Sequence, residues 1–333
     1  MINVTIYVRP DCPACDQAVK ELEALQEQAP HRLVKIDVAQ DRALDERFGG
    51  RLPVVEIGPY RLWTPFKQQD LLVMLNAARD RVNQLEKVDS EGYQRMVAQG
   101  QKMTSHDRLS LWLSRRYMLV VNLLLLLYVG LPILAPVLMK ARLEFPARVI
   151  YTIYSPLCHQ LAFRSWFLFG EQAYYPRALA GIPNVLTYEE VIGGGQTDVF
   201  AARAFTGNNT VGYKVALCQR DVAIYGALLF FGLIFMFTGR RLSSIPWYLW
   251  VIFGLVPMGI DGVSQLPSIA SNLPAWIPLR ESTPALRSLT GFLFGWFTGW
   301  YLFPMIEASM QETRRIVLRK KAFIEPDFPK AGS

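Results

Sequence analysis

Two cysteines separated by two residues, Cys12-Pro13-Ala14-Cys15, are the residues of this 333-residue chain best spaced to do chemistry. Thiols at this spacing can close a disulfide within one helical turn and exchange electrons with another disulfide through a mixed-disulfide intermediate. The motif comes after Val4-Thr5-Ile6-Tyr7-Val8, whose alternation predicts a strand ending at Arg9-Pro10-Asp11. It opens an amphipathic helix reaching about residue 28, with Ala18, Leu22 and Leu25 on one face. At a helix start, free N–H groups and the helix dipole stabilise an anion, so Cys12 is expected to be the nucleophilic thiolate. Cys15, one turn along, is the expected resolving thiol. Pro13 suits that first turn because its missing N–H had no partner there. A zinc half-site and a redox-silent scaffold are the alternatives that the motif alone leaves open.

The elements that must hold the motif come next along the chain. Residues 33–38 predict a second strand, 41–48 a short helix, 52–57 a third strand and 60–63 a fourth, with a turn at Gly58-Pro59, and 66–85 a closing helix. This βαβαββα order is that of the thioredoxin fold and occupies residues 1–86. Tyr7, Pro10, Cys12-Pro13-Ala14-Cys15, Leu22 and the Leu52-Pro53-Val54 step together resemble a glutaredoxin-like domain of the small bacterial kind. The resemblance implies a thiol–disulfide oxidoreductase. It also implies that Pro53 is cis and sits beside the redox site, where it helps to shape a peptide-binding edge. Glutathione-using members carry a Gly-Gly pair and an acidic residue after the last strand, where this chain has Leu62-Trp63-Thr64-Pro65-Phe66. No cofactor beyond the dithiol is therefore expected, and glutathione is disfavoured.

The rest of the chain has a different composition. The mean hydropathy is +0.18 and 51% of residues are hydrophobic, and the apolar residues concentrate in long runs after Tyr117. Residues 1–90 carry 12 Lys/Arg against 14 Asp/Glu, whereas residues 91–333 carry 23 against 14, which accounts for the net +7. The basic excess belongs to the apolar half, so its expected partner is the lipid bilayer and not nucleic acid. The N-terminus reads as a strand and not as a secretory signal, so the first apolar run is expected to act as the insertion signal.

Residues 87–116 read as a polar linker and juxtamembrane helix, 117–310 as an all-α membrane domain and 311–333 as a basic cytoplasmic tail. About four transmembrane helices are expected, at 118–139, 222–238, 245–260 and 286–306, plus one re-entrant or interfacial helix at 149–169. Arg115-Arg116, Arg240-Arg241 and the Arg314-Arg315 to Lys321 cluster would then all face the cytoplasm. This predicts a multi-pass protein of a bacterial inner (cytoplasmic) membrane, with the N-terminal domain and the C-terminal tail inside.

That topology collects polar residues at the outer ends of the spans: Gln160, Arg164, Arg220, Asp261, Gln265, Arg280, Glu281 and Arg287. Ionisable groups at apolar helix ends are costly unless paired or wet, so a clustered site is expected. Cys158 and Cys218 fall on the same side, and a structural disulfide between them is the favoured reading because that compartment permits one. A metal site built on Cys158, His159, Cys218 and Asp221 is the weaker alternative, since the ligand types suit zinc but the spacing matches no standard pattern. The Cys158-His159-Gln160, Cys218-Gln219-Arg220 and Asp261-Gly262 elements also resemble an uncharacterised bacterial family of predicted membrane proteins, which implies a unit but no chemistry.

The functional expectation is a membrane-anchored oxidoreductase acting through Cys12, Cys15 and Pro53 on an unidentified thiol or disulfide substrate. A relay from this dithiol to the Cys158 and Cys218 pair, or an accessory role among other membrane-complex subunits, is the alternative.

Overall fold

The computed structural model describes residues 2–40, 42–88, 90–100, 102–192, 198–265 and 280–324. They fall into two compact units, one holding the chain through Arg115 together with the stretch from Ala308 on, the other Arg116–Glu307.

The first unit is built on a four-stranded sheet in the order β2-β1-β3-β4, with β1 Ile2–Val8, β2 His31–Asp37, β3 Val54–Ile57 and β4 Tyr60–Trp63. β1 runs parallel to β2 and antiparallel to β3, and β3 and β4 form a hairpin. The parallel pair needs a crossover, and α1 (Pro13–Ala24) supplies it. α2 (Arg42–Phe48) and α3 (Gln68–Val88) complete the expected βαβαββα order. Val4 and Ile6 of β1, Leu22 of α1, Val55 and Ile57 of β3, and Leu71 and Leu75 of α3 close one core. Each such side chain contributes roughly 1.5–3 kcal/mol on burial. Tyr7, Phe48 and Val54 form a second cluster, with the Tyr7 and Phe48 rings stacked at 4.5 Å. The N-terminal domain thus has the α/β thioredoxin-like fold, with cis peptide bonds at Leu52-Pro53 and at Thr64-Pro65.

α4 (Ser90–Gly100) precedes α5, a single helix over Ser105–Lys140. The start of α5 is a capping box: the Asp107 N–H donates to Thr104 Oγ1 at 3.1 Å, and the Thr104 N–H donates to Asp107 Oδ2 at 2.9 Å. The expected juxtamembrane segment and first span are therefore one continuous element.

The second unit is mostly helical. α6 (Glu144–Tyr154), α7 (Tyr188–Ile192) and α8 (Val199–Ala204) are short, whereas α9 (Gln219–Phe237) and α11 (Pro284–Ile324) are long. α10 (Trp247–Val263) lies between these two and contains a π-helical turn at Val251–Leu255. Among the described residues, α5, α9 and α11 are long and apolar enough to cross a membrane, and α10 is a shorter apolar helix. The packing of α11 on α9 rests on glycines four apart. A Cβ on Gly291 would meet the Arg220 carbonyl oxygen at 2.7 Å, one on Gly295 would overlap the Ile224 carbonyl, and one on Gly299 would crowd the Phe231 ring. Small residues at this spacing let two apolar helices approach backbone to backbone.

Two expectations need correction. The 149–169 stretch is not one helix: α6 ends at Tyr154, because Pro156 has no N–H to continue the ladder, and Gln160 reverses the chain with φ 52°. The chain then enters a strand, β5 (Ser165–Leu168), in a three-stranded sheet of order β5-β7-β6 with β6 Gly207–Asn208 and β7 Gly212–Cys218. The membrane half is mostly helical, but it is not all-α.

Candidate functional site

Cys12 is the N-cap of α1, and its backbone is extended (φ −111°, ψ 95°), which is how the chain turns from the end of β1 into the helix. Its Sγ accepts a hydrogen bond from the Cys15 N–H at 3.2 Å, while its carbonyl accepts the Cys15 and Asp16 N–H groups at 2.9 and 3.2 Å. The first turn therefore directs the Cys15 N–H, shared with the Cys12 carbonyl, at the sulfur where negative charge would develop. Cys12 and Cys15 are joined in a disulfide. Cys12 is half-buried and Cys15 only 1% exposed, so an incoming group meets Cys12 first. Val54 of β3 pairs with Tyr7 of β1, which puts cis Pro53 at the sheet end from which the chain leaves β1 toward Cys12.

Behind this site lies a charged group that the sequence did not suggest. Glu56 of β3 is 3% exposed and accepts from Tyr7 Oη at 3.1 Å, Arg61 Nε at 2.6 Å, Arg315 Nη1 at 3.3 Å and Arg319 Nη1 at 3.1 Å. Burial, reinforced by the Glu56 carboxylate, raises the Tyr7 phenol well above its ordinary value.

In the second unit the expected polar residues do converge. Arg164 makes a two-pronged contact with Glu281, from Nε at 2.9 Å and Nη2 at 3.1 Å. Arg287, at the start of α11, donates to Glu281 Oε1, the oxygen that also accepts from Arg164 Nε, and to Gln265. Asp261, 2% exposed near the end of α10, binds Arg220 and accepts from Arg280 and Ser282 at 3.0 Å each. Ser282 was missed as a site residue, although it stands in the Arg280-Glu281-Ser282-Thr283 run. Gln160 stays outside the ion pairs and donates to the Tyr151 carbonyl at 2.9 Å.

Cys158 comes just after α6, and Cys218 ends β7 and caps α9. The β5–β7 pairing sets Ser165 opposite Cys218. The two cysteines are free here, so the expected pairing is present as proximity and not as a bond. The Cys218 N–H donates to Cys158 Sγ and the Asp221 N–H to Cys218 Sγ, both at 3.4 Å. The hydrogen bond between the thiols lowers Cys158 and raises Cys218 from the usual thiol value. His159 lines the same cavity but is exposed and lies outside the group formed by the Cys158, Cys218 and Asp221 donor atoms. Nearby, Lys214 is fully buried and donates from Nζ to the carbonyls of Gln160, at 2.8 Å, and Arg203. Burial pulls its ammonium down to about 7. A lysine in an apolar strand gave no sequence signal for this role.

Fold and sites define a membrane-associated protein with a thioredoxin-like domain. Residues 3–85 match the family model for a glutaredoxin-like domain (DUF836), and residues 203–301 match that for a predicted membrane protein (DUF2085). The second match includes Cys218, Arg220, Asp261 and Arg287 but begins after Cys158. The chain is also similar to the uncharacterized protein MJ1492 of Methanocaldococcus jannaschii, at 29% identity over 166 residues, which is 49% of this chain and 71% of that protein. No solved structure matches the chain at a significant level.

Proposed function

We propose that the protein is a membrane-anchored thiol–disulfide oxidoreductase whose working groups are Cys12 and Cys15. The observation that carries this reading is the Cys12 sulfur, half-exposed at the start of α1 and hydrogen-bonded by the Cys15 N–H at 3.2 Å. In the reducing direction the Cys12 thiolate attacks a substrate disulfide, forming a mixed disulfide and releasing one substrate thiolate. The Cys15 thiolate then attacks Cys12 Sγ and releases the second substrate thiol. Two electrons leave the dithiol, and Cys12 and Cys15 end as the disulfide seen here. An external thiol donor restores the dithiol, and cis Pro53 borders the edge that would receive the substrate chain.

The same unit contains both the N-terminal domain and the last turns of α11. This favours an even number of crossings, with α10 as the fourth span beside the three long helices. At 1.5 Å per residue α10 reaches about 26 Å, slightly short of a bilayer core of about 30 Å. The clusters Arg115-Arg116, Arg240-Arg241 and Arg314-Arg315, by the excess of basic residues on cytoplasmic loops, support a reading in which the dithiol faces the cytoplasm.

The test is turnover of a protein disulfide by the full chain in detergent, with a chemical dithiol as donor. Cys12→Ser should abolish it, and Cys15→Ser should trap a mixed disulfide on Cys12. Unchanged turnover in Cys12→Ser would end this reading.

A further inference from the structure

We infer that Cys158, Cys218 and Asp221 form a mononuclear site for a thiophilic divalent cation, zinc in the first instance, with a fourth position open to the adjoining cavity. The site shares no residue with the Cys12–Cys15 pair and stands whether or not that pair turns over.

Among the described residues, these three offer two sulfurs and a carboxylate oxygen within 4.8 Å of one another. Tetrahedral zinc, with Zn–S near 2.3 Å and Zn–O near 2.1 Å, needs donors about 3.4–3.8 Å apart. The donors have to draw together by at most about 1.4 Å to reach that spacing. The backbones are already fixed. The Cys158 N–H donates to the Tyr154 carbonyl at 3.0 Å, and Cys218 and Asp221 sit three apart at the capped start of α9, on one helix face. The sequence offered these three ligands together with His159 as the weaker reading of the cysteine pair, because Cys158 comes from 60 residues away and the spacing matches no standard zinc pattern.

The surroundings fit anionic donors. Each sulfur accepts a backbone N–H, the kind of outer contact that holds a thiolate ligand in place. Arg164, Arg220, Arg280 and Arg287 stand against Asp261 and Glu281, four guanidiniums to two carboxylates. That formal excess of two offsets most of the three negative charges that the ligands carry when deprotonated, so the surroundings favour an anionic donor set. A disulfide would use the two sulfurs and leave Asp221 only its place in the first turn of α9. The cavity beside them, about 240 Å³ and walled by His159, Arg164, Arg220 and Arg287, has room for a water or a small ligand on the fourth position.

The experiment measures metal content in the full-length protein, purified in detergent under reducing conditions, by mass spectrometry after equilibration with zinc and removal of the excess. The expected result is one zinc per chain in the wild type and in Cys12→Ser/Cys15→Ser, and background levels in Cys158→Ser and Cys218→Ser. Asp221→Asn should weaken zinc binding at least 10- to 100-fold, since even outer-shell partners cost about that much. Cobalt added to the Cys12→Ser/Cys15→Ser protein should give a thiolate-to-metal charge-transfer band, a readout that needs no variant of the site itself. Absence of that band overturns the inference. So does zinc that tracks Cys12 and Cys15, or a wild type that carries a Cys158–Cys218 disulfide and takes up no zinc after reduction.

Discussion

Arg319 donates to the Glu56 carboxylate at 3.1 Å across 263 residues of sequence, tying the end of the last helix to the third strand of the N-terminal sheet. Arg315, one turn earlier, reaches the other oxygen of the same carboxylate. The side chains of Arg61, Arg315 and Arg319 keep 16–29% of their surface exposed, so water still screens them, whereas Glu56 has almost none. Removing the carboxylate leaves three cations facing a buried position. Glu56→Gln is expected to destabilise the unit by about 2–3 kcal/mol, below the range for fully buried pairs because of that screening. Hydrogen-exchange mass spectrometry should show faster exchange in β3 and in residues 312–324 together. Faster exchange in β3 alone would mean that the arginines do not hold the helix end.

The Tyr7 phenol gives this group a pH signature. Its folded value is raised above the unfolded value of about 10, so the unfolded chain loses the proton first. The associated stability is complete below about pH 10 and is lost as the pH climbs beyond it. Urea midpoints measured from about pH 8 upward should therefore fall more steeply for the wild type than for Tyr7→Phe. Parallel curves would show that Tyr7 ionises as an ordinary exposed tyrosine.

The glycines of α11 make a steric prediction. Gly295→Ala sets a methyl group against the Ile224 carbonyl, which is backbone and cannot rotate away. Separating α9 and α11 to admit it should cost about 1–3 kcal/mol, the usual range for overpacking. Gly226→Ala, on α9 with no atom within 4 Å of the added Cβ, is the control and should leave the melting temperature in detergent within error. Equal melting temperatures for both variants would show that the two helices do not pack through this stripe.

The N-terminal fold was legible because its signals are local. Period-two alternation marks β1, and Cys12-Pro13-Ala14-Cys15 marks a helix start. The polar cluster was legible in composition, since arginines and carboxylates at apolar helix ends must find partners, but its pairing of Arg164 with Glu281 across 117 residues was not. Glu56 was hidden for the same reason. β5 was hidden by its own residues: Ser165-Trp166-Phe167-Leu168 is as apolar as a span, and Pro156, the turn at Gln160 and a short 3-10 turn at Ala162–Arg164 separate it from α6. The Gly291, Gly295 and Gly299 stripe was present in the spacing and could have been read there.

Asp261 and Arg280 show how unequal the two ends of one ion pair can be. Asp261 is 2% exposed and answers two arginines and a serine, whereas the Arg280 side chain keeps a third of its surface in solvent. Asp261→Asn removes the countercharge of Arg220 and Arg280 at once and leaves the Arg220 guanidinium, 19% exposed, without a carboxylate in contact from that side. A loss of about 3 kcal/mol is expected, at the low end for broken buried pairs. Arg280→Gln leaves Asp261 with Arg220 and Ser282 and frees a solvated side chain, so it should cost no more than about 1 kcal/mol. Melting temperatures of the two variants in the same detergent decide the matter. Asp261→Asn must fall clearly below Arg280→Gln. The reverse order would mean that Arg280 carries the network and that the burial of Asp261 does not set its importance.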